Sequence, residues 1–142
     1  MNYIKKAAIM AIAILSFGCN NKESPDGECS TPISATPNRH NFSSEGGTIE
    51  ITTKVDYWWF ELSHNYYPDD ETTDLVVIRE DQGDDISPIL EVRSEWFSVK
   101  KSGDRKLTVQ FESNKTSFER GYTINLQYVN CFESIYISQD GG

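Results

Sequence analysis

The chain is 142 residues long, enough for one domain with a single core, and its 22 acidic side chains outnumber its 13 basic ones. Removing the two lysines of a leader peptide, Lys5 and Lys6, leaves 11 basic residues against 22 acidic ones and a net charge of about −11. A surface of that charge repels nucleic acid, which excludes nucleic-acid partners.

The first 18 residues have the composition of an export signal. Lys5 and Lys6 form a positively charged start, and the apolar run Ala7–Phe17 follows. This run is well short of the roughly 20 residues that a membrane-spanning helix needs. We therefore expect a signal peptide over residues 1–18 and not a helix of the fold.

A small residue and a cysteine end this apolar run. The segment Leu15–Cys19 resembles the lipobox of bacterial lipoproteins, in which the cysteine is acylated and becomes the first residue of the mature protein. Ser16 stands where the lipobox usually has its leucine, so a secretory signal with an unmodified Cys19 is the alternative. We expect lipidation of Cys19, with more than one acyl chain for stable attachment.

Residues 19–30 read as a lipid-anchored tether. Asn20–Glu28 is polar, contains Pro and Gly, and has no apolar periodicity. Its acidic character directly after Cys19 resembles the signal that sends lipoproteins of Bacteroidetes-type bacteria to the outer face of the outer membrane. The expected location is therefore the bacterial outer membrane, at the cell surface.

The predicted domain covers residues 31–142 and begins with two strands. Pro32–Phe42 reads as an edge strand interrupted by proline. The turn Ser43–Gly47 follows, in which the glycines can adopt positive φ. Thr48–Val55 then alternates cleanly, so Ile49, Ile51, Thr53 and Val55 are expected to point inward.

The third predicted strand, Tyr57–Leu62, carries two adjacent tryptophans. Successive side chains of a strand point to opposite faces. Trp58 and Phe60 therefore share one face, and Tyr57 and Trp59 share the other. We expect Trp58 in the core and Trp59 outside it.

The remaining predicted strands continue the period of two. They are Leu75–Arg79 and Ile89–Arg93, both within a segment at 63–95, then Trp96–Val99, Lys106–Glu112, Tyr122–Tyr128 and Ile135–Gln139. Strict alternation means one buried and one solvated face, as in the antiparallel sheets of sandwiches. The predicted fold is an all-β, immunoglobulin-like β-sandwich of about seven to nine short strands.

Two cysteines remain beside Cys19. In an immunoglobulin-like sandwich part of the first strand often runs parallel to the last, so Cys29 and Cys131 would be neighbours. We predict a disulfide between them, because an exported protein occupies a compartment where such bonds persist. Two free thiols are the alternative, since Cα atoms more than about 7 Å apart cannot be bridged.

Several motifs occur in an order that resembles a known family. They are Phe42–Gly47, the tryptophan-bearing strand, Glu95–Val99, the segment Asn114–Arg120 and the final run Ile135–Gln139. Together they look like a BACON domain, a Bacteroidetes-associated carbohydrate-binding domain, over about residues 32–139. The resemblance implies an immunoglobulin-like sandwich that attaches to glycans or mucin. The segment at 63–95 is longer than the family's usual gap, and the domain is expected to stand alone rather than beside an enzyme.

Four aromatic residues are candidates for stacking on sugars. Tyr57, Trp59, Tyr66 and Tyr67 lie close together in the sequence, around what reads as one end of a strand. The alternative is that these rings complete the core beneath a long loop, as sandwiches bury a tryptophan on this strand.

Two acidic loops could bind calcium, which takes six to eight oxygen ligands. Their residues are Asp69, Asp70, Glu71 and Asp74 in the first loop and Glu80, Asp81, Asp84 and Asp85 in the second. A solvated acidic rim is the preferred interpretation. His40 and His64 lack partners at zinc-ligand spacing, so no metal or other cofactor is expected.

No set of residues defines a reaction, and the protein is expected not to be an enzyme. The sequence contains no nucleophile elbow, phosphate-binding loop or paired histidine–glutamate motif. We expect Arg120 to pair with an acid or cap a loop, and Asn114 to be a turn residue. The leading hypothesis is a surface lipoprotein that binds glycans or mucin. The alternative is a structural or adaptor lipoprotein that binds a protein partner in an envelope complex.

Overall fold

The computed structural model of the protein describes residues 28–66 and 75–142. At residues 64–66 only the backbone is described. The leader at 1–18, Cys19, most of the tether, Tyr67 and the acidic residues from Asp69 to Asp74 lie outside this part. Within it the chain forms nine strands, and no segment is a helix. None of the described segments could therefore cross a membrane as a helix.

The strands follow one another with short connections. In chain order they are β1 (Arg39–Phe42), β2 (Gly47–Thr52), β3 (Trp59–Tyr66), β4 (Val76–Arg79), β5 (Ile89–Arg93), β6 (Phe97–Gly103), β7 (Lys106–Phe111), β8 (Arg120–Tyr128) and β9 (Cys131–Gln139). They form a four-stranded sheet in the order β1-β9-β8-β3 and a five-stranded sheet in the order β2-β7-β6-β5-β4. The predicted all-β sandwich is confirmed.

The core lies between the two sheets and is built from the predicted inward faces. Ile51 and Val109 from the larger sheet and Ile124 and Ile135 from the smaller one are all fully buried. Trp58 is buried as well, whereas Trp59 remains 36% exposed. The alternation argument for the two tryptophans is thus confirmed.

β1 is much shorter than predicted. Thr36 exchanges two backbone hydrogen bonds with Thr52 of β2, both 2.9 Å long. Arg39–Phe42 instead pairs parallel with β9 in the other sheet. Pro37 lies between these two pairings and has no N–H to donate, so the ladder breaks there and the chain changes sheets.

β3 begins two residues later than predicted and continues four residues further. The preceding loop is held by side chains: Thr53 Oγ1 donates to the Val55 carbonyl at 2.9 Å, and Lys101 Nζ donates to the Trp58 carbonyl at 2.8 Å. The ladder with β8 therefore starts only at Trp59. Tyr57 stands outside the strand with a φ of 60°, the left-handed conformation that non-glycine residues seldom adopt.

The two strands predicted within the 63–95 segment belong to the larger sheet. β5 pairs antiparallel with β6, and β4 pairs with β5. The segment thus extends the sheet from β6 outward. β4 is the end strand of this sheet in the described residues, and its Val76 and Val77 are exposed.

Cys29 and Cys131 are joined by a disulfide, with Cα atoms 4.8 Å apart. The bond attaches the start of the domain to the first residue of β9. Asn130 supports the same junction, because its Nδ2 donates to the Glu28 carbonyl at 2.8 Å. The junction places the N-terminal segment beside the turn between β8 and β9.

A buried polar cluster joins three chain segments at the opposite end of the smaller sheet. Gln139 Nε2 donates to the carbonyl oxygens of Glu112 at 2.8 Å and of Ser43 and Ser44 at 3.3 Å. Arg120 Nε donates to Gln139 Oε1 at 2.8 Å. The cluster therefore connects the β1–β2 turn, the end of β7 and the end of β9.

Arg120 and Asn114 both bind the loop between β7 and β8. Arg120 Nη2 donates to the carbonyls of Glu112 and Ser113 at 3.0 and 3.2 Å, and its guanidinium lies 4.2 Å from the centre of the Trp96 ring. Asn114 is buried and donates to the carbonyls of Phe118 and Asp140. Arg120 thus caps a loop, one of its two expected roles. Asn114 holds that loop to the C-terminal end of the chain.

Candidate binding site

Two of the four ring residues proposed from the sequence, Trp59 and Tyr66, lie far apart along one strand. β3 separates Trp59 from Tyr66 by seven residues, roughly 23 Å along an extended strand. Tyr57 lies before the strand and is 83% exposed. Tyr67 lies outside the described residues. Trp59 and Tyr66 therefore lie at opposite ends of β3, because the strand continues to Tyr66 instead of ending at Leu62. A shared site that includes Tyr67 stays a prediction.

Trp59 is held in place by a side chain of the neighbouring strand. It lies directly opposite Gln127 of β8, and its indole Nε1 donates to Gln127 Oε1 at 3.2 Å. Gln127 Nε2 in turn donates to the Val129 carbonyl at 3.2 Å. The polar edge of the indole is thus satisfied within the protein while part of the ring remains exposed, the arrangement expected of an aromatic contact residue.

A cleft of about 310 Å³ lies beside Trp59, where β3 approaches the β4–β5 connection. Its walls expose polar and apolar surface in nearly equal shares and consist of Trp59, Phe60, Glu61, Arg79, Ile86, Ser87, Pro88 and Ile89. Its volume lies at the lower end of the range found for small-ligand sites. Ile86 is almost fully exposed at its rim.

The loop that forms the far wall of the cleft is ordered by its own hydrogen bonds. Arg79 Nη1 donates to the Ser87 carbonyl at 2.6 Å, and Ser87 Oγ contacts the carbonyls of Asp81 and Asp84 at 2.9 and 3.0 Å. The wall is thus formed before any ligand arrives, which lowers the entropic cost of binding.

The outward side of the four-stranded sheet, here called the outer face, continues from Trp59. The residues that share it are Arg39 and Asn41 of β1, Trp59, Glu61 and Ser63 of β3, Thr123, Asn125 and Gln127 of β8, and Phe132, Ser134, Tyr136 and Ser138 of β9. Phe132 is 71% exposed and Tyr136 46% exposed. A second hollow of about 570 Å³ opens at the Arg39–Tyr136 end of this face.

Sequence reasoning missed Phe132 and Tyr136, although a signal for both was present. Ile135 and Ile137 are inward residues of β9, so strict alternation places Phe132, Ser134 and Tyr136 on the solvated side. What no local pattern could show is that Phe132 shares a row with Trp59. That row depends on the register of β8 with β3 and with β9.

Charged groups beneath the loop before β3 hold it in position. Asp56 hydrogen-bonds Arg105, and this bond lowers the pKa of the Asp56 carboxyl and raises that of the Arg105 guanidinium. Lys101 Nζ lies 4.6 Å from the centre of the Trp58 ring, and partial burial lowers the pKa of this amine. These contacts support Tyr57 and Trp58 and add no titrating group to the cleft.

The acidic loops show no grouping of metal ligands where the structure describes them. Within residues 28–66 and 75–142, no three His, Cys, Asp or Glu side chains come together around a possible ion. Asp81 Oδ1 accepts from the Gly83 amide and Asp84 Oδ1 from the Ile86 amide, both at 2.9 Å. The other acidic loop lies outside the described residues, so the predicted solvated rim and its alternative, calcium binding, stay untested there.

Comparison with known proteins supports the fold. No protein-family model matches the chain, and no curated protein matches it. A protein from Bacteroides thetaiotaomicron with an NMR structure is similar, with a TM-score of 0.58 and 20% identity over 83% of this chain and 93% of that chain. This likeness shows a shared fold.

A Bacteroides ovatus GH5 xyloglucanase, solved in complex with a XXXG heptasaccharide, aligns more weakly. Its TM-score is 0.40 at 17% identity, over 74% of this chain and 17% of that chain. A match of this strength has no bearing on the fold or the function of the chain.

Proposed function

We propose that the protein is a non-catalytic, lipid-anchored surface module that binds glycans. The proposal rests on the position of Trp59. Its ring is partly exposed, is hydrogen-bonded to Gln127 and lines a cleft of about 310 Å³. The exposed face of an aromatic ring packs against the C–H face of a sugar at low entropic cost. The resemblance of the sequence to the BACON family supports the same class of ligand, including mucin glycans.

Replacing Trp59 by alanine should weaken glycan binding at least tenfold, which corresponds to about 1.4 kcal/mol. The detergent-solubilised mature chain would be applied to a glycan and mucin array, and the affinity for each retained glycan measured by calorimetry. Phe118→Ala is the matched control, because Phe118 is also an exposed ring but lies in the β7–β8 loop. Circular dichroism would verify that both variants are folded.

Equal binding by wild type and Trp59→Ala would reject this site.

A second function is favoured by the edge of β4, which has no partner strand among residues 28–66 and 75–142. Val76 and Val77 are exposed there, and this edge could pair with a strand of an envelope protein. An array with no retained glycan, together with co-purification of an envelope protein that depends on Val76 and Val77, would replace glycan binding by this adaptor function.

The same proposal includes anchoring through Cys19 at the outer membrane. Cys19→Ala should abolish metabolic incorporation of a labelled fatty acid and move the protein from the membrane fraction to the soluble fraction. Surface exposure would be measured by protease treatment of intact cells. Labelled Cys19→Ala protein, or wild-type protein without label, would contradict lipidation at this residue.

A further inference from the structure

A row of side chains crosses the outer face at the end where Trp59 lies. Trp59 of β3 is opposite Gln127 of β8, and Gln127 is opposite Phe132 of β9. The row thus consists of an exposed ring, an amide and a second exposed ring on three adjacent strands. Phe132 is the most exposed of the rings on this face, at 71%.

The spacing of this row suits an extended polymer. Trp59 and Phe132 are two strands apart, roughly 10 Å across the sheet. That separation matches alternate sugars of an extended polysaccharide, so a chain lying across the strands could stack one sugar on each ring. Gln127 would then face the sugar between them.

The side-chain amide of Asn125, beside the row, is held in one orientation by its neighbours. Ser134 Oγ donates to Asn125 Oδ1 at 2.9 Å, and Asn125 Nδ2 donates to Ser63 Oγ at 2.8 Å. An amide has two donor hydrogens and two acceptor lone pairs, so Asn125 retains capacity for hydroxyl groups of a ligand. Its orientation is set by β3 and β9 before binding, which reduces the ordering cost.

The outer face is acidic, like the chain as a whole. Arg39 is its basic residue, and Glu61 is the acidic residue on its strands. Two further acids border it, because Glu119 lines the hollow beside Arg39 and Asp140 accepts a hydrogen bond from Asn41. The chain as a whole carries 22 acidic residues against 13 basic ones. A neutral ligand is not repelled by these charges, whereas an acidic one is repelled by the face and by the surrounding protein.

We propose that Trp59, Gln127 and Phe132 form a binding platform for an uncharged, extended polysaccharide, with Asn125 as a hydroxyl contact. This inference rests on the proposed glycan-binding function and specifies its ligand class and its direction across the sheet. Phe132 is a new contact residue, and the cleft beside Trp59 receives only the end of the bound chain.

The test uses neutral hexasaccharides of β-linked glucose, xylose and mannose, with hexagalacturonate as the acidic counterpart. Calorimetry on the mature chain should detect at least one neutral hexasaccharide and no hexagalacturonate. Phe132→Ala and Trp59→Ala should each weaken that binding at least tenfold, and a trisaccharide should bind at least tenfold more weakly than the hexasaccharide. Phe118→Ala should leave the affinity unchanged.

The outcomes separate this inference from the function on which it rests. Retained affinity in Phe132→Ala with loss in Trp59→Ala would overturn the platform and leave the glycan-binding function in place. Stronger binding of hexagalacturonate than of every neutral hexasaccharide would also overturn the platform and leave the glycan-binding function in place. Absence of binding to any glycan on the array would overturn both. A shift from dimer to monomer in Phe132→Ala by sedimentation would identify the face as a self-interface and overturn the platform.

Discussion

Replacing both Cys29 and Cys131 by serine should lower the free energy of unfolding by roughly 4–5 kcal/mol. The disulfide closes a loop between residues 102 positions apart, and a cross-link of that length removes much of the conformational freedom of the unfolded chain. A domain of this size is stable by about 5–15 kcal/mol, so the loss is a large part of the total.

Equilibrium unfolding in urea, followed by tryptophan fluorescence, measures this change. Wild type treated with a reductant should unfold at the same urea concentration as the Cys29→Ser/Cys131→Ser double variant, because both lack the cross-link. The double replacement also avoids leaving a single reactive thiol. A difference below about 1 kcal/mol between oxidised wild type and the double variant would contradict the stabilising role of the bond.

Gln139→Leu should lower the free energy of unfolding by roughly 3–5 kcal/mol. Gln139 is completely buried, and its amide nitrogen donates hydrogen bonds to the carbonyls of Ser43, Ser44 and Glu112. Leucine has a similar volume and no polar atoms. The replacement therefore removes one of the two donors that each of these carbonyls has, and it removes the acceptor of the Arg120 Nε hydrogen.

Gln110→Leu is the control for this substitution. Gln110 is exposed on β7, and its amide donates at 3.0 Å to the side chain of Glu112 at the surface. Losing this surface hydrogen bond in Gln110→Leu should change the free energy of unfolding by less than about 0.5 kcal/mol. Equal urea midpoints for the two variants would show that the buried amide does not stabilise the junction of the three segments.

Most of the fold could be predicted from local patterns. Alternating apolar residues on β2, β7, β8 and β9 showed which side of each strand is buried, since a side chain on a strand points to one face or the other. The strand boundaries were less accurate. β1 is shorter than predicted because Pro37 interrupts its ladder, and β3 starts later than predicted because side chains hold the loop before Trp59. Neither effect produces a periodic pattern in the sequence.

The candidate site was only partly predictable. Trp59 was expected outside the core and is exposed, but β3 places Tyr66, its expected neighbour, at the opposite end of the strand. Phe132, which shares a row with Trp59, lies more than 70 positions further along the chain. Gln139 stands out in the sequence only as the end of a strand, and its carbonyl partners come from two other segments.

The sequence by itself determined the all-β class, the buried faces of β2, β7, β8 and β9, and the tryptophan that enters the core. These properties depend on residues within a few positions of one another, because the period of a strand is local. Only the tertiary structure decided which strands are neighbours and in which register. Register brings distant residues into one row, and it therefore decides that Trp59, Gln127 and Phe132 meet on the outer face.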